Sequence, residues 1–121
     1  MHIKYGVNIE ELDPIVLAAL PTIEACRIEA LEKCLRDQMT VTSAAEGYPG
    51  DGVHSFRSWH YLQNCPRRKG LAVDIRDDFE GIFAGLLRRR LGPGWDIIEE
   101  GDHVHCERDP RKAPLNGAQS A

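Results

Sequence analysis

Residues 95–106 read WDIIEEGDHVHC, a pattern that predicts two short strands around a tight turn. The strands fall at Trp95–Ile98 and His103–Cys106, and Glu100-Gly101 supplies the turn. Strands that are joined by so short a connection pair antiparallel. This part of the chain is therefore expected to form a β-hairpin.

Two histidines on the second of these strands face the same way. Alternate side chains of a strand share a face, so His103, His105 and Glu107 project together, and Val104 and Cys106 project toward the core. Two imidazoles on one strand face suit a metal site, because neutral imidazole is a common zinc ligand. Histidines exposed on a surface strand would give the same pattern, so the motif alone leaves both interpretations open.

A strand and a helix are predicted just before the hairpin. Leu71–Arg76 (LAVDIR) is typical of a strand. Asp77 or Asp78 then caps a helix, which Gly92-Pro93-Gly94 ends. The helix is indicated by apolar residues at the i, i+3, i+4, i+7 spacing, namely Phe79, Ile82, Phe83, Leu86, Leu87 and Leu91.

The first half of the chain predicts two helices, a short strand and a long loop. Asp13-Pro14 begins a helix that Pro21 ends or kinks, and a second helix covers roughly residues 22–37. Met39–Ser43 alternates and predicts a strand. The irregular stretch Ala44–Lys69 is longer than most connections, and we expect such a loop to be functional.

Composition limits the class of protein. The 121 residues fit a single domain, with a polar tail from about Pro110 that is expected to be loose. The net charge of −4 argues against nucleic-acid binding, and no apolar run approaches ~18 residues, so no membrane span is expected. The first residues lack a signal core, which predicts synthesis in the cytoplasm. The four cysteines show no CxxC spacing and are expected to be reduced, buried thiols.

A carboxylate and a loop histidine complete a possible set of metal ligands. Asp74 interrupts the apolar strand LAVDIR, and burying it is costly unless it is paired or binds a metal. A salt bridge to Arg76 or to another neighbour would also satisfy it. Together, His60, Asp74 and His105 form a set of two imidazoles and one carboxylate. Three protein ligands with an open fourth position are what a catalytic zinc requires.

Three motifs occur in order along the chain: Ser58-Trp59-His60, Gly70-Leu71-Ala72-Val73-Asp74 and Asp102-His103-Val104-His105. They resemble the Ser-x-His, Gly-x-Ala-x-Asp and Asp-His-x-His pattern of the zinc D-Ala-D-Ala carboxypeptidase family and its phage-endolysin relatives. That family includes D-Ala-D-Ala dipeptidases and L-Ala-D-Glu endopeptidases, and its metal site is similar in plan to that of the hedgehog signalling domain. The resemblance covers roughly residues 12–110.

The resemblance implies a role for the residues of these motifs. The zinc ligands would be His60, Asp74 and His105. Asp102, three residues before the last ligand, would be the general base, and His103 would help to stabilise the oxyanion. If His103 were the ligand instead, Glu100 would become the base by the same spacing. Asp102 is preferred because Glu100 adjoins the predicted turn, where a side chain is held less well.

Two more positions and one insertion follow from the comparison with the family pattern. His54 matches a position that contacts substrate or supports the site, and Arg76 would orient Asp74 or meet a substrate carboxylate. The insertion Leu62–Arg68 separates the first two motifs, and we expect it at the rim of the cleft, where its arginines would meet acidic peptides. Carboxypeptidase-type members carry an Arg after the Val-Thr-Ser strand, and Ala44-Ala45-Glu46 has none.

The expected fold is α+β: a small antiparallel sheet with two or three helices packed on one face and zinc in a cleft across the sheet. The expected function is a zinc-dependent peptidase, a monomer, that cuts bacterial peptidoglycan peptides after release to the cell wall, as a phage or prophage lysis enzyme does. The alternative is a non-catalytic, zinc-stabilised module that binds peptidoglycan or belongs to a virion. A retained general base would separate the two.

Overall fold

The computed structural model describes residues 1–31, 39–77 and 81–115, and in these ranges it has five strands and two helices. The strands are β1 (His2–Ile3), β2 (Thr40–Ser43), β3 (Ala72–Arg76), β4 (Trp95–Glu100) and β5 (His103–Arg108). The helices are α1 (Pro14–Ala30) and α2 (Ile82–Leu91), and a 3₁₀ turn covers Leu62–Asn64. No helix in the described ranges combines the length and the apolar content that crossing a bilayer requires.

The strands form one sheet in the order β1-β2-β3-β5-β4. Neighbouring strands pair antiparallel, except that β1 pairs parallel with β2. The predicted α+β fold is confirmed. The expectation of a wholly antiparallel sheet is wrong at this one edge, because the connection from β1 to β2 contains a helix and such a crossover brings the second strand back parallel to the first.

Both helices pack on one face of the sheet, as predicted. The apolar core joins Ile23 of α1 and Leu87 of α2 to Val73 and Val104, which point inward from the central strands. Cys26, Cys65 and Cys106 are free and buried, in agreement with the sequence, while Cys34 lies outside the described residues. The helices therefore cover one face and leave the other for the loop that follows β2.

Helix α1 continues through Pro21 without a break. Asp13 caps it as predicted, since Oδ1 accepts the Ile15 N–H at 3.0 Å. An interior proline costs about 3 kcal/mol, but Leu20 and Ile23 beside it are buried, and burial of such a side chain contributes about 1.5–3 kcal/mol. The prediction that Pro21 separates two helices is wrong. Residues 32–37 of the second predicted helix lie outside the described residues.

Helix α2 begins without an aspartate cap. Gly81 precedes it with a φ of 76°, and no side chain caps the helix. Asp77, one of the two predicted caps, lies four residues before Gly81 and forms a buried ion pair with Arg27 of α1, so the prediction that it caps this helix is wrong. The other candidate, Asp78, lies outside the described residues.

The hairpin turn lies one residue later than predicted. Strand β4 extends to Glu100, which pairs with His103, so the loop consists of Gly101 and Asp102. Gly101 has a φ of 72°, which glycine adopts without strain, and glycine at the first loop position is typical of a type II′ hairpin. Glu100 therefore belongs to a strand and Asp102 to the turn, which reverses the expectation.

The segment that follows β5 is packed against the domain. The buried Arg108 donates from Nη1 to the Ala113 carbonyl at 2.6 Å and from Nη2 to the Pro114 carbonyl at 3.2 Å. Leu115 is buried as well. The prediction of a loose tail is wrong for residues 110–115, and residues 116–121 lie outside the described part of the chain.

Candidate metal centre

A cleft of about 580 Å³ lies on the sheet face opposite the helices. Its floor is formed by outward side chains of β2, β3, β4 and β5, and one wall by the loop between β2 and β3. Every site residue that the sequence predicted lines it: His54, His60, Asp74, Arg76, Glu100, Asp102, His103 and His105. The residues that the sequence predicted to form one site therefore line one cleft, and their roles stay predictions.

The centre of the cleft is a carboxylate oxygen that two histidines approach. Asp74 Oδ1 lies 3.1 Å from His60 Nε2 and 2.8 Å from His105 Nδ1. All three side chains are buried or nearly so. Residues from a loop and two strands thus converge on one point, and the insertion Leu62–Arg68 between the first two motifs does not keep His60 away from it.

The tautomer of His60 is set by the backbone. Its Nδ1 lies 2.6 Å from the carbonyl oxygen of Ala44, and because a carbonyl only accepts, Nδ1 carries a proton. The other nitrogen, Nε2, faces Asp74 Oδ1. A lone pair there would repel the carboxylate oxygen, so this contact requires either a second proton on the ring or a cation next to both atoms. A metal ligand whose second nitrogen donates to a carbonyl is held in the same manner.

His105 is held between two carboxylates. Nδ1 faces Asp74, and Nε2 lies 2.7 Å from Glu107 Oε1. Burial alone would lower the pKa of His105, but the hydrogen bonds and charges of these two carboxylates outweigh it and raise the pKa to about 10. Burial would raise the pKa of Asp74, yet His105 and His60 hold it well below its usual range. The carboxylates of this centre therefore favour a positive charge next to them.

His54 stands next to the same centre. Its ring stacks on that of His60, with centroids 4.0 Å apart and planes 12° apart. One donor atom from each of His54, His60 and Asp74 lies within 4.8 Å of the other two, so these residues could hold a metal ion. The predicted set has His105 in place of His54, and both sets share the pair His60–Asp74. His54 is thus a candidate ligand as well as a supporting residue.

A carboxylate that the sequence did not single out fixes His54. The hydroxyl of Ser43 donates to Glu46 Oε2 at 2.6 Å, so it accepts from His54 Nε2, 2.9 Å away. Glu46 Oε1 accepts the backbone N–H groups of Asn8 and Ala44, each at 3.0 Å. In the sequence, this region differed from the family pattern only by its lack of an arginine. The role of Glu46 was not visible there, because its partner Asn8 is 38 residues away.

A buried tyrosine secures the loop that carries His54. Tyr61 is fully buried, its hydroxyl donates to Asp51, and it accepts the backbone N–H of His54 at 3.0 Å. Burial and the contact with Asp51 raise the pKa of Tyr61, so it stays a hydrogen-bond donor. The sequence did not identify this role, which depends on how the loop folds back.

The two candidate bases differ in position. Glu100 Oε1 lies 3.9 Å from His105 Nδ1 and 4.0 Å from His103 Nε2. Asp102 has a side chain that is 97% exposed, and it contacts His103 Nδ1 at 2.9 Å. The preference for Asp102 assumed that Glu100 lies at the turn, and that assumption is wrong. Of the two, Glu100 is the carboxylate that lies near the predicted ligand atoms.

The insertion Leu62–Arg68 lies away from the cleft. All of its residues are described, and none of them lines the cleft. Arg67 donates from Nε to Asp13 Oδ2 at 2.8 Å and binds the cap of α1 with a second nitrogen. The expectation that the insertion forms the cleft rim is wrong, because Arg67 is taken up by a buried aspartate.

A second group of acidic residues has its own cationic partners. Asp96, Glu107 and Asp109 lie close enough to hold a metal ion. However, Lys112 pairs with Asp96, Arg111 with Asp109, and His105 with Glu107. These pairs balance the charge of the group without an ion.

No protein-family model matches this chain, and searches of curated proteins and of solved structures found no match either. The resemblance to the carboxypeptidase family consequently rests on the three sequence motifs and stays a prediction.

Proposed function

We propose that this chain is a zinc-dependent peptidase of the zinc D-Ala-D-Ala carboxypeptidase type, which hydrolyses peptide bonds of bacterial peptidoglycan. One observation carries the proposal. His60, Asp74 and His105 converge at one carboxylate oxygen on the floor of a cleft, with both imidazoles within 3.1 Å of it. The three motifs that resemble the family supply these same three residues.

The donor set fits zinc. Two imidazole nitrogens and a carboxylate oxygen are ligands that zinc accepts, and a catalytic site keeps a fourth position for water. Zinc bound there would lower the pKa of that water toward ~7 and polarise the carbonyl of the scissile bond. The residues of this chain would bind the ion, hold the substrate next to it and move the protons.

Residues behind the ligands would orient them before any ion arrives. The Ala44 carbonyl fixes the tautomer of His60 so that Nε2 can bind, and Glu107 fixes His105 so that Nδ1 can bind. Because these contacts already exist, little reorganisation is needed when an ion enters.

Glu100 would take the proton of the attacking water. Its carboxylate lies 3.9 Å from the ligand atom of His105, while Asp102 projects into solvent. His103 Nε2, 3.7 Å from Asp74 Oδ2, faces the same centre and, with protons on both ring nitrogens, would donate to the oxyanion of the tetrahedral intermediate. Asp102, bound to the opposite nitrogen, would keep the His103 ring in this orientation.

Zinc content and release of peptides test the proposal together. The purified protein is stripped with a chelator, reloaded with zinc and incubated with purified peptidoglycan, and the released fragments are analysed by mass spectrometry. We expect about one zinc per chain and fragments that identify one type of peptide bond. His60→Ala and His105→Ala should lose both properties. His2→Ala, a change at an exposed histidine outside the cleft, should keep both.

The same experiment separates the alternative function. If the wild-type protein binds zinc and sediments with peptidoglycan but releases no fragment, the chain is a zinc-stabilised binding module and the proposed hydrolysis is wrong. If neither His60→Ala nor His105→Ala reduces the zinc content, the metal centre itself is wrong.

A further inference from the structure

The segment Leu62–Arg68, all of which the structure describes, lies outside the cleft but binds the loop that carries His60. Asn64 Nδ2 donates to Phe56 O at 3.0 Å and to Ser58 O at 2.9 Å. Both carbonyl oxygens belong to the part of the loop that leads into His60. One amide group of the segment thus fixes the backbone just before this histidine.

The thiol of Cys65 binds the backbone on both sides of His60. Sγ lies 3.2 Å from Trp59 O and 3.3 Å from Tyr61 O, and these two residues are the sequence neighbours of His60. Cys65 is only 4% exposed, and burial raises the pKa of its thiol to about 11, so the sulfur keeps its proton. Because a carbonyl only accepts, the thiol donates, and its single proton is shared between the two oxygens.

The other end of the segment is fixed to the start of helix α1. Arg67 donates from Nε to Asp13 Oδ2 at 2.8 Å, and Asp13 is fully buried. Just beyond the segment, Gly70 accepts the backbone N–H of Asp13 at 2.9 Å and donates to Glu11 O at 2.8 Å. Val16 of the same helix is fully buried in the apolar core. The segment therefore connects the loop of His60 to the core of the domain.

His60 needs such a connection more than the other two predicted ligands do. Asp74 and His105 lie directly opposite each other on β3 and β5, so the hydrogen bonds of the sheet hold their backbones. His60 lies in an irregular loop and has no neighbouring strand. The ligands of a working metal site must be held within about 0.5 Å of their productive geometry. A loop meets this requirement only if other groups bind its backbone.

We propose that the segment Leu62–Arg68 is a brace that holds His60 at the centre of the cleft, with Asn64 and Cys65 as its positioning residues. Their donors take the place of the sheet hydrogen bonds that His60 lacks. Without them the ligand side chains would all remain, but the loop would have to become ordered when an ion binds, and this cost lowers affinity. The inference rests on the proposed function, because it concerns how a proposed zinc ligand is held.

Hydrogen exchange in the metal-free chain tests the brace without any ion. Asn64→Ala together with Cys65→Ala removes both donors. The amide hydrogen of His60, which donates to Ser58 Oγ at 3.0 Å, should then exchange about tenfold faster, because exchange reports local opening. The control is Cys26→Ala, which removes another buried thiol from the core. It should accelerate exchange in β3 through global unfolding and leave the amide of His60 unchanged.

Zinc affinity then separates positioning of the ligand from stability of the fold. In a competition titration with a zinc chelator, we expect the double variant to bind zinc about tenfold more weakly than the wild type. Gln63→Ala, at the exposed amide next to Asn64, should stay within about twofold, and so should Cys26→Ala despite its lower stability. Cys65→Ser, whose hydroxyl donates to the same two carbonyls, should also keep the affinity, whereas Cys65→Ala should not.

Two outcomes would overturn the brace. If the amide of His60 exchanges no faster in the double variant than in Cys26→Ala, the segment acts on the whole fold and not on this loop. If exchange of His60 accelerates but zinc affinity stays at the wild-type value, the segment orders the loop without positioning the ligand. The proposed peptidase fails separately, when the wild type itself binds no zinc or releases no peptide, and hydrogen exchange still decides on the brace.

Discussion

His105 Nδ1 lies 2.8 Å from Asp74 Oδ1, and the pairing of β3 with β5 sets these two residues directly opposite each other. The apolar pattern of the two strands enforces this arrangement. Val73 and Val104 are fully buried on the core side, so their neighbours Asp74 and His105 must point into the cleft. A slip of one residue would drive a carboxylate into the core, and the register is strongly specified for that reason.

Removal of the carboxylate behind His105 should weaken metal binding without removing a ligand. Glu107 contacts His105 Nε2 at 2.7 Å, and loss of such an outer contact typically lowers metal affinity 10–100-fold. We expect this decrease for Glu107→Ala in a competition titration with a zinc chelator. Glu99→Ala changes an exposed glutamate of the same hairpin and serves as the control. An unchanged affinity in Glu107→Ala would mean that Glu107 does not support the site.

The strands of the site could be predicted from the sequence because their signals are local. Alternation in LAVDIR and in HVHCE indicated which side chains share a face, and the structure has Asp74 and His105 on one face. The direction of the loop histidine His60 could not be predicted, since nothing in an irregular segment specifies where a side chain points. The position of His60 depends on its contact with Ala44, sixteen residues away.

The incorrect predictions have physical causes that local patterns do not contain. Pro21 stays inside a helix because its neighbours are buried against distant strands. The turn was misplaced because Glu100 and Asp102 flank Gly101 equally in sequence, and only the positive φ of Gly101 at the first loop position distinguishes them. The support of His54 by Glu46 and Tyr61 depends on contacts that form when the loop folds back.

Loss of one hydroxyl should loosen the loop that carries His54. Tyr61→Phe keeps the buried ring but removes the hydrogen bonds to Asp51 and to the His54 amide. We expect unfolding by urea to require about 1–2 kcal/mol less free energy. Exchange of the His54 amide hydrogen should accelerate more than exchange in β3. Tyr48→Phe, at an exposed tyrosine of the same loop, should change neither quantity, and equal results for the two variants would argue against this role.

The segment after β5 should become less stable in acid. The hydrogen bonds from Arg111 hold the pKa of Asp109 below its usual range. A carboxylate with a depressed pKa stabilises the fold fully above its unfolded pKa of about 3.9, and this contribution is lost as the pH falls through the folded value. Asp109→Asn should therefore be about 1–2 kcal/mol less stable than the wild type at pH 6. This difference in the free energy of unfolding should become smaller below about pH 3.5. If urea unfolding gives the same difference at both pH values, the Asp109 carboxylate does not stabilise the fold in this way.

Substitution of each candidate base in turn distinguishes a role in catalysis from a role in binding. Glu100 lies near Nδ1 of the predicted ligand His105, whereas the carboxylate of Asp102 faces solvent. Loss of a general base typically lowers the rate 10²–10⁴-fold. Glu100→Gln should therefore retain zinc and lose peptide release by this factor. Asp102→Asn, which leaves the His103 ring less well held, should lose less than about tenfold.

The zinc content of the two variants determines how their rates of peptide release can be compared. Neither Glu100 nor Asp102 belongs to the predicted ligand set, so both variants should bind the metal as the wild type does. If Asp102→Asn shows the larger loss at equal zinc content, the exposed aspartate is the base, and the hairpin must move toward the centre when substrate binds. If both variants release peptides at the wild-type rate, proton transfer uses neither residue and the mechanism proposed for this cleft is wrong.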